Sequence, residues 1–257
     1  MNLLFSINQK FIPLWEQCMA TILRHGGAAH YDVYVLHSDL TGEDGARMRA
    51  ALRPADRCTF LSVPEGLFEG FPETNRYPVQ IYYRLAAPLL LPAALNRILY
   101  LDVDTVVLNS LEPLYTSDFA GAAFMACSHT DRFLNKFNQA RLGLEDGVRY
   151  LNSGVLMMDL ALLRRTLRLE DIRRYAGQYK NRLILPDQDI LTGLFGDKSL
   201  VLDSRIYNMT DRLYIRCSAV PSERLSLDWV RQNTVVVHYL GKPKPWQKNY
   251  IGPLGVF

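Results

Sequence analysis

Apolar residues fall along this chain in short dense runs separated by stretches with helical spacing. Leu3 to Ile7 is an almost unbroken apolar run, as expected of a strand covered on both faces. Pro13 to Arg24 follows with Leu14, Trp15, Cys18, Ile22 and Leu23 on one face, predicting a helix that Gly26-Gly27 ends. Tyr31 to Leu36 reads as a second strand, Gly45 to Leu52 as a helix and Thr59 to Val63 as a third strand. This β-α-β-α-β opening predicts an α/β fold with a mainly parallel central sheet flanked by helices.

Further along, Pro64 to Tyr77 is rich in Pro, Gly, Glu and aromatic residues, a loop able to fold over a ligand. Ile81 to Leu90 reads as a helix whose only charge is Arg84, and Arg97 to Val107 as an apolar strand that presents Asp102 and Asp104. Ala120 to Ala126 is a candidate strand, and the polar, basic stretch His129 to Arg149 a helix. Tyr150 to Asp159 reads as a strand preceded by polar Asn152 and Ser153, with Gly154 permitting close backbone approach. Pro186 to Phe195 starts like a helix with an acidic first turn, which suits the helix dipole but leaves Gln188 unexplained. Leu200 to Leu202 and Val235 to His238 are short strands.

With 49% hydrophobic and 21% charged residues, the 257-residue chain can bury a full core. We read residues 1–257 as one domain, with a nucleotide-binding half over 1–126 and an acceptor-side, metal-completing half over 127–257. A net charge of +3 with no dense basic block argues against a nucleic-acid partner. Cys18, Cys58, Cys127 and Cys217 form no CxxC pair, which points to reduced thiols rather than a zinc site or a disulfide framework. The start of the chain turns polar too soon for a signal peptide, and no apolar run approaches the ~20 residues that span a bilayer. The expected location is cytoplasmic, within reach of the inner membrane face.

The chemistry concentrates in a few places. Residues two apart on a strand share a face, so Asp102 and Asp104 can converge on one cation. Ionised carboxylates at the end of an apolar strand need a partner or a metal. His238 ends a late strand and would complete a two-carboxylate, one-imidazole set, a mixture of oxygen and nitrogen that suits Mn²⁺ better than Mg²⁺. Open α/β sheets bind ligands beyond the carboxyl ends of their strands, where Asn8 and Gln9 lie. No GxGxxG or Walker sequence is present to cradle phosphates, and a metal on the DxD would hold them instead. Beyond His238, Gly241-Lys-Pro-Lys-Pro-Trp246 sets two ammonium groups in a proline-stiffened loop.

These motifs, in this order, resemble glycosyltransferase family 8, which contains bacterial lipopolysaccharide galactosyl- and glucosyltransferases and the glycogenins. The resemblance rests on the Leu-Phe-Ser opening, Tyr-Tyr-Arg-Leu at 82 to 85, Leu-Tyr-Leu-Asp-Val-Asp-Thr at 99 to 105, Leu-Asn-Ser-Gly-Val-Leu at 151 to 156, Asp-Gln-Asp-Ile-Leu at 187 to 191 and His-Tyr-Leu-Gly-Lys-Pro-Lys-Pro-Trp at 238 to 246. It implies a GT-A fold with a Rossmann-like nucleotide-binding region, a UDP-sugar donor, a glycan or glycolipid acceptor, Mn²⁺ with Mg²⁺ as a substitute, and transfer with retention of configuration.

Carried over motif by motif, the resemblance makes Asp102, Asp104 and His238 the metal ligands. Ser6, Asn8, Arg84, Asp102, Val103, Gly241 and Lys244 become the nucleotide contacts. Asn152, Ser153, Asp187 and Gln188 would face the donor sugar, with Asp187 and Gln188 catalytic. Because position 188 carries an amide rather than an acid, the expected route is front-face attack by the acceptor hydroxyl, with the departing phosphate oxygen as base. Two departures stand out: Asn8 replaces the aspartate of many relatives, and the sequence stops soon after Trp246, where many relatives continue with a basic aromatic tail. The competing readings are a sugar-nucleotide-binding pseudoenzyme and a Mg²⁺-dependent phosphatase of the DxDx(T/V) type.

Overall fold

The computed structural model describes residues 1–73, 78–219 and 224–257, so residues 74–77 of the expected ligand loop lie outside it. Its strands are β1 (Asn2–Ser6), β2 (Asp32–His37), β3 (Arg57–Ser62), β4 (Arg97–Leu101), β5 (Thr105–Val107), β6 (Phe124–Cys127), β7 (Val155–Asp159), β8 (Ser199–Leu202) and β9 (Val236–His238). The helices of the first half are α1 (Ile12–His25), α2 (Gly42–Ala50), α3 (Tyr83–Leu90) and α4 (Glu112–Thr116). Those of the second are α5 (Arg132–Leu142), α6 (Leu160–Thr166), α7 (Leu169–Gln178), α8 (Pro186–Phe195), α9 (Ser204–Tyr207), α10 (Asp211–Ala219) and α11 (Leu227–Asn233).

Seven strands make one sheet in the order β3-β2-β1-β4-β7-β6-β8. Its pairs are parallel except where β7 runs antiparallel to both β4 and β6. Strand alternation sorts the core onto two faces. Leu4, Tyr100 and Leu156 pack with α3, α6 and α8 on one side, whereas Leu3, Phe5, Leu99 and Met157 pack with Trp15, Met19 and Ile22 of α1 on the other. A third cluster joins Met209, Val237, Tyr239 and Leu254 around the small β5-β9 sheet. The fold is α/β with a mainly parallel central sheet, as the hydrophobic pattern predicts.

The structure corrects three expectations about local geometry. The run from Arg97 to Val107 is not one strand: β4 ends at Leu101, the chain turns through Asp102-Val-Asp104, and β5 leaves the main sheet to pair antiparallel with β9. The turn is closed by the Thr105 hydroxyl donating to the Asp102 carbonyl at 2.7 Å. Asp102 and Asp104 are therefore neighbours through a turn, not through strand alternation. A chain with two carboxylates leaves the dry sheet where they begin.

Tyr150 to Gly154 is likewise a loop, and β7 begins only at Val155. There the Asn152 carbonyl oxygen accepts from the Gly154 N–H at 3.0 Å, an Asx-type bond that competes with a ladder. The strand expected from Ala120 also starts late, at Phe124, because Ala120 and Gly121 adopt positive φ. All four cysteines are free, with Cys58 alone only half-buried. No helix among the described residues is long and apolar enough to cross a membrane.

Candidate active site

β4 and β9 deliver the central group. Register in the small sheet sets Thr105 opposite His238, which brings the imidazole against the turn that carries the acids. One oxygen atom each of Asp102 and Asp104 and one ring nitrogen of His238 lie within 4.8 Å of one another. His238 Nε2 is 3.2 Å from Asp104 Oδ1 and 3.8 Å from Asp102 Oδ2, yet it is buried and makes no hydrogen bond. A buried nitrogen facing two carboxylates without a partner has the chemistry of a cation site.

A chain of side-chain amides fixes which way that imidazole points its protons. The Gly154 N–H can only donate, so the Asn152 atom it meets is Oδ1, and Nδ2 is left to donate to Gln188 Oε1 at 2.7 Å. Asn152 Oδ1 also accepts from Asn208 Nδ2 at 2.8 Å, which turns Asn208 Oδ1 toward His238 Nδ1 at 3.0 Å. Nδ1 must then carry hydrogen, and a neutral ring offers its Nε2 lone pair to the acids. Asn152, Asn208 and His238 are all buried, so water does not compete for these bonds.

Behind the acids lies Arg84 of α3, itself buried. Its guanidinium reaches Asp102 Oδ1 at 3.0 Å, the Ser153 carbonyl at 2.9 Å, the Ile81 carbonyl at 3.0 Å and Asp187 Oδ2 at 3.5 Å, and it covers the Tyr100 ring at 4.5 Å. Tyr100 adds a 2.7 Å bond from its hydroxyl to the same Asp102 oxygen. One Asp102 oxygen is thus braced while the other faces His238. Burial would lower the Arg84 pKa, but Asp102, Tyr100 and Asp187 outweigh it and hold the group firmly charged. Asp104 is pulled the opposite way by burial, which favours its neutral form. His238, when its ring is protonated, and Lys244 prevail and hold it well below the usual carboxylate range.

Lys244 donates to Asp104 Oδ2 and to the Tyr239 carbonyl. Ser6 ends β1 with its hydroxyl on the Gln80 carbonyl, and Asn8 caps the short helix Gln9–Phe11 by accepting from the Lys10 N–H. Val103 sits in the turn between the two acids, and Gly241 takes φ +78 in the segment after β9. Asp187 accepts from the Ser153 hydroxyl at 2.6 Å, and burial raises its pKa against the opposing pull of Arg84 and Ser153. Asn152, Ser153, Asp187 and Gln188 therefore meet Asp102, Asp104, His238 and Arg84 in one connected network. Ser6, Asn8 and Gly241 stand apart from it, Ser6 bonding the Gln80 carbonyl and Asn8 the Lys10 N–H.

Sequence reasoning missed the supports. Asn208 carries no motif. Tyr100 hides inside an apolar strand. Asp189 looks from its spacing like a third acid of the site, but it is fully buried and neutralised by a two-pronged Arg141 contact at 2.7 Å on each oxygen, with the Ile184 N–H and the Tyr150 hydroxyl also donating to it. The only sequence signal for that role is a basic residue, Arg141, in the last turn of the preceding polar helix.

The fold and the Asp-Asp-His cluster match those of a glycosyltransferase with a GT-A fold. A family profile described as glycosyl transferase family 8 matches residues 2–250, and the chain belongs to that family. A lipopolysaccharide 1,2-glucosyltransferase of Escherichia coli is 30% identical over 69% of this chain and 52% of its own length. A lipopolysaccharide 1,3-galactosyltransferase of Salmonella typhimurium is 23% identical over 95% of this chain and 72% of its own. Among solved structures, the galactosyltransferase LgtC in complex with donor and acceptor sugar analogs superposes with a TM-score of 0.85 at 26% identity, covering 100% of this chain and 93% of that one.

Two outcomes follow from the supports. Asn208→Ala removes the acceptor for the His238 Nδ1–H and should weaken divalent-cation binding by roughly 10- to 100-fold in calorimetric titration. Asp189→Asn leaves Arg141 facing a neutral amide and should lower folding stability by about 3 kcal/mol, read as a shifted denaturant midpoint at unchanged slope.

Proposed function

We propose that this glycosyltransferase moves a hexose, glucose or galactose, from a UDP-sugar to a hydroxyl of a cell-surface glycan or glycolipid such as lipopolysaccharide, with retention of configuration and with Mn²⁺, for which Mg²⁺ could substitute. The observation that carries the reading is the unpartnered, buried His238 Nε2 facing Asp102 and Asp104, coupled through Asn208 and Asn152 to Gln188. The lipopolysaccharide transferases among its relatives support the substrate class. In this reading the enzyme works on the cytoplasmic side, at the inner membrane face.

Asp102, Asp104 and His238 would hold the metal, which supplies positive charge to the diphosphate as the sugar–phosphate bond breaks. Lys244, already on Asp104, adds a cation from the protein to the same developing charge. Ser6, Asn8 and Val103 line the uridine side, where the Asn8 amide can both accept from and donate to a base. Gly241, in the left-handed region, lets the backbone N–H groups of its loop approach phosphate without a side chain in the way. Arg84 acts by bracing the DxD turn and Asp187, with most of its donors committed to the protein.

In this reading Gln188 faces the anomeric carbon from the side where a nucleophile would have to be. Its carbonyl oxygen already accepts from Asn152 Nδ2 and, at 3.3 Å, from the Ser153 N–H. An amide oxygen held by two donors is a poor nucleophile but a fixed dipole, suited to steadying positive charge on the sugar ring. The acceptor hydroxyl then attacks on the face the diphosphate leaves, and the departing oxygen takes its proton. Asp187, tied to Ser153 and Arg84, positions Gln188 rather than attacking.

UDP should bind in calorimetric titration only with Mn²⁺ present, and Asp104→Ala should abolish that binding; metal-independent binding in the variant would remove the DxD from the donor site. Gln188→Ala should cut kcat by about 100-fold with UDP affinity nearly unchanged. Recovery of a glycosyl adduct on Asp187 or Asp189 by mass spectrometry would replace front-face attack with a double displacement.

A further inference from the structure

α5 is built inside out. Its inward face is mostly polar, with Leu142 its one buried apolar side chain: Asn135 and Gln139 donate to the Val148 carbonyl, Asn135 Oδ1 accepts from the Tyr150 N–H at 2.8 Å, and Asn138 Oδ1 takes a bond from Arg141. Its outward face is apolar, with Phe133 80% exposed, Phe137 51% and Leu134 47%. At 100° per residue these three span one arc of the helix, and Ala140 extends it. Burial of apolar surface normally drives helix docking, so a helix that spends its inward face on amides and leaves two phenylalanines in water has its apolar partner outside the chain.

The charges around the ridge say what that partner is. Arg132 and Lys136 lie along one edge of the arc, and no acid stands within the helix itself. At the N-terminal end, Arg149 is held nearby through the Thr130 carbonyl at 3.0 Å. At the C-terminal end, Arg141 reaches the Arg182 carbonyl, which brings exposed Ile184 and the basic pair Lys180 and Arg182 alongside. None of Arg132, Lys136, Arg149, Lys180 and Arg182 is in an ion pair among the described residues. Asp131 is occupied as the helix N-cap, and Glu145 and Asp146 lie beyond Gly143 in the loop that follows.

We propose that α5, with Ile184 and the surrounding basic residues, docks on an anionic lipid bilayer, the two phenylalanines entering the interface and the cations meeting lipid phosphates. An aromatic ridge edged by arginine and lysine is the composition of an interfacial helix, and each basic residue near an anionic surface strengthens attraction about fivefold. A second copy of this chain fits less well, because a self-pairing of the patch would set its five unpaired cations against their own kind. The opposite face of α5 holds Tyr150, whose hydroxyl is 3.4 Å from Gln188 Nε2, so docking would hold the site one helix diameter, roughly 10 Å, from the lipid surface. If the proposed glycolipid acceptor is correct, its sugar would be presented there. The docking itself does not depend on that reading.

Vesicle co-sedimentation tests the proposal without any nucleotide. The full chain should bind vesicles of equal parts phosphatidylcholine and phosphatidylglycerol, and bind phosphatidylcholine vesicles far more weakly. The double substitution Phe133→Ser with Phe137→Ser should lower partitioning by at least about 10-fold, and Lys136→Glu by about fivefold or more, with thermal unfolding midpoints unchanged because these side chains are exposed. Binding that is absent, or equal in the double variant, overturns the proposal. So does concentration-dependent self-association that the double variant abolishes, since that assigns the ridge to a second copy. UDP binding measured on the same samples keeps failure of the docking separate from failure of the donor site.

Discussion

The site is organised around the backbone of one residue, Gly154. Its carbonyl accepts from the Asp102 N–H at 2.8 Å, and its N–H sets the orientation of Asn152. A Cβ there would stand 2.1 Å from His238 Cε1 and 2.8 Å from Asp102 Oδ2, closer than atoms tolerate. Only a residue without a side chain lets β4, β7 and β9 approach at this point. The acids of the turn after β4, the amide of the loop before β7 and the imidazole at the end of β9 become a single group because the backbone between them is bare.

That approach creates an electrostatic problem, and the solution explains the cations nearby. Asp102, Asp104, Asp187 and Asp189 crowd a region largely removed from water, where unpaired carboxylates are costly. Arg84 answers Asp102 and Asp187, Lys244 answers Asp104, and Arg141 answers Asp189. His238 Nε2 is the exception, left facing two acids without a hydrogen bond. The protein's own cations reach the outer oxygens of the pair, and the position between Asp102, Asp104 and the ring is where a further positive charge is needed.

Much of this was legible in the sequence, for identifiable reasons. Apolar runs such as Leu3 to Ile7 and helical spacing such as Leu14 to Leu23 record burial directly, so the α/β class and the opening strands could be read without tertiary information. The chemistry-bearing residues were legible because Asp102, Asp104, Gln188 and His238 interrupt otherwise apolar or helical patterns. What could not be read was how they meet. The turn at Asp102–Asp104 looks like a continuing strand because Thr105 to Val107 is apolar, but that segment is apolar for a different sheet. Asn208 and Asp189 were hidden for the opposite reasons: an amide in a polar stretch gives no signal, and an acid beside Gln188 gives the wrong one, its partner Arg141 lying 48 residues away.

The same hydrogen bonds tie the cleft to α5, which gives that helix's inverted pattern a physical cause. Asp189 is held by Arg141, Tyr150 by Asn135, and Gln188 lies beside Tyr150. A helix that holds a polar network on its inner face has little room left there for apolar side chains, and Leu142 in its last turn is the one it buries. Phe133, Leu134 and Phe137 are therefore not a failure of folding to cover its hydrophobic residues. They are the apolar half of an amphipathic helix whose polar half serves the active site, and their cover must come from outside. One helix thus ties Asp189 and Tyr150, the neighbours of Gln188, to the apolar ridge on its outer side.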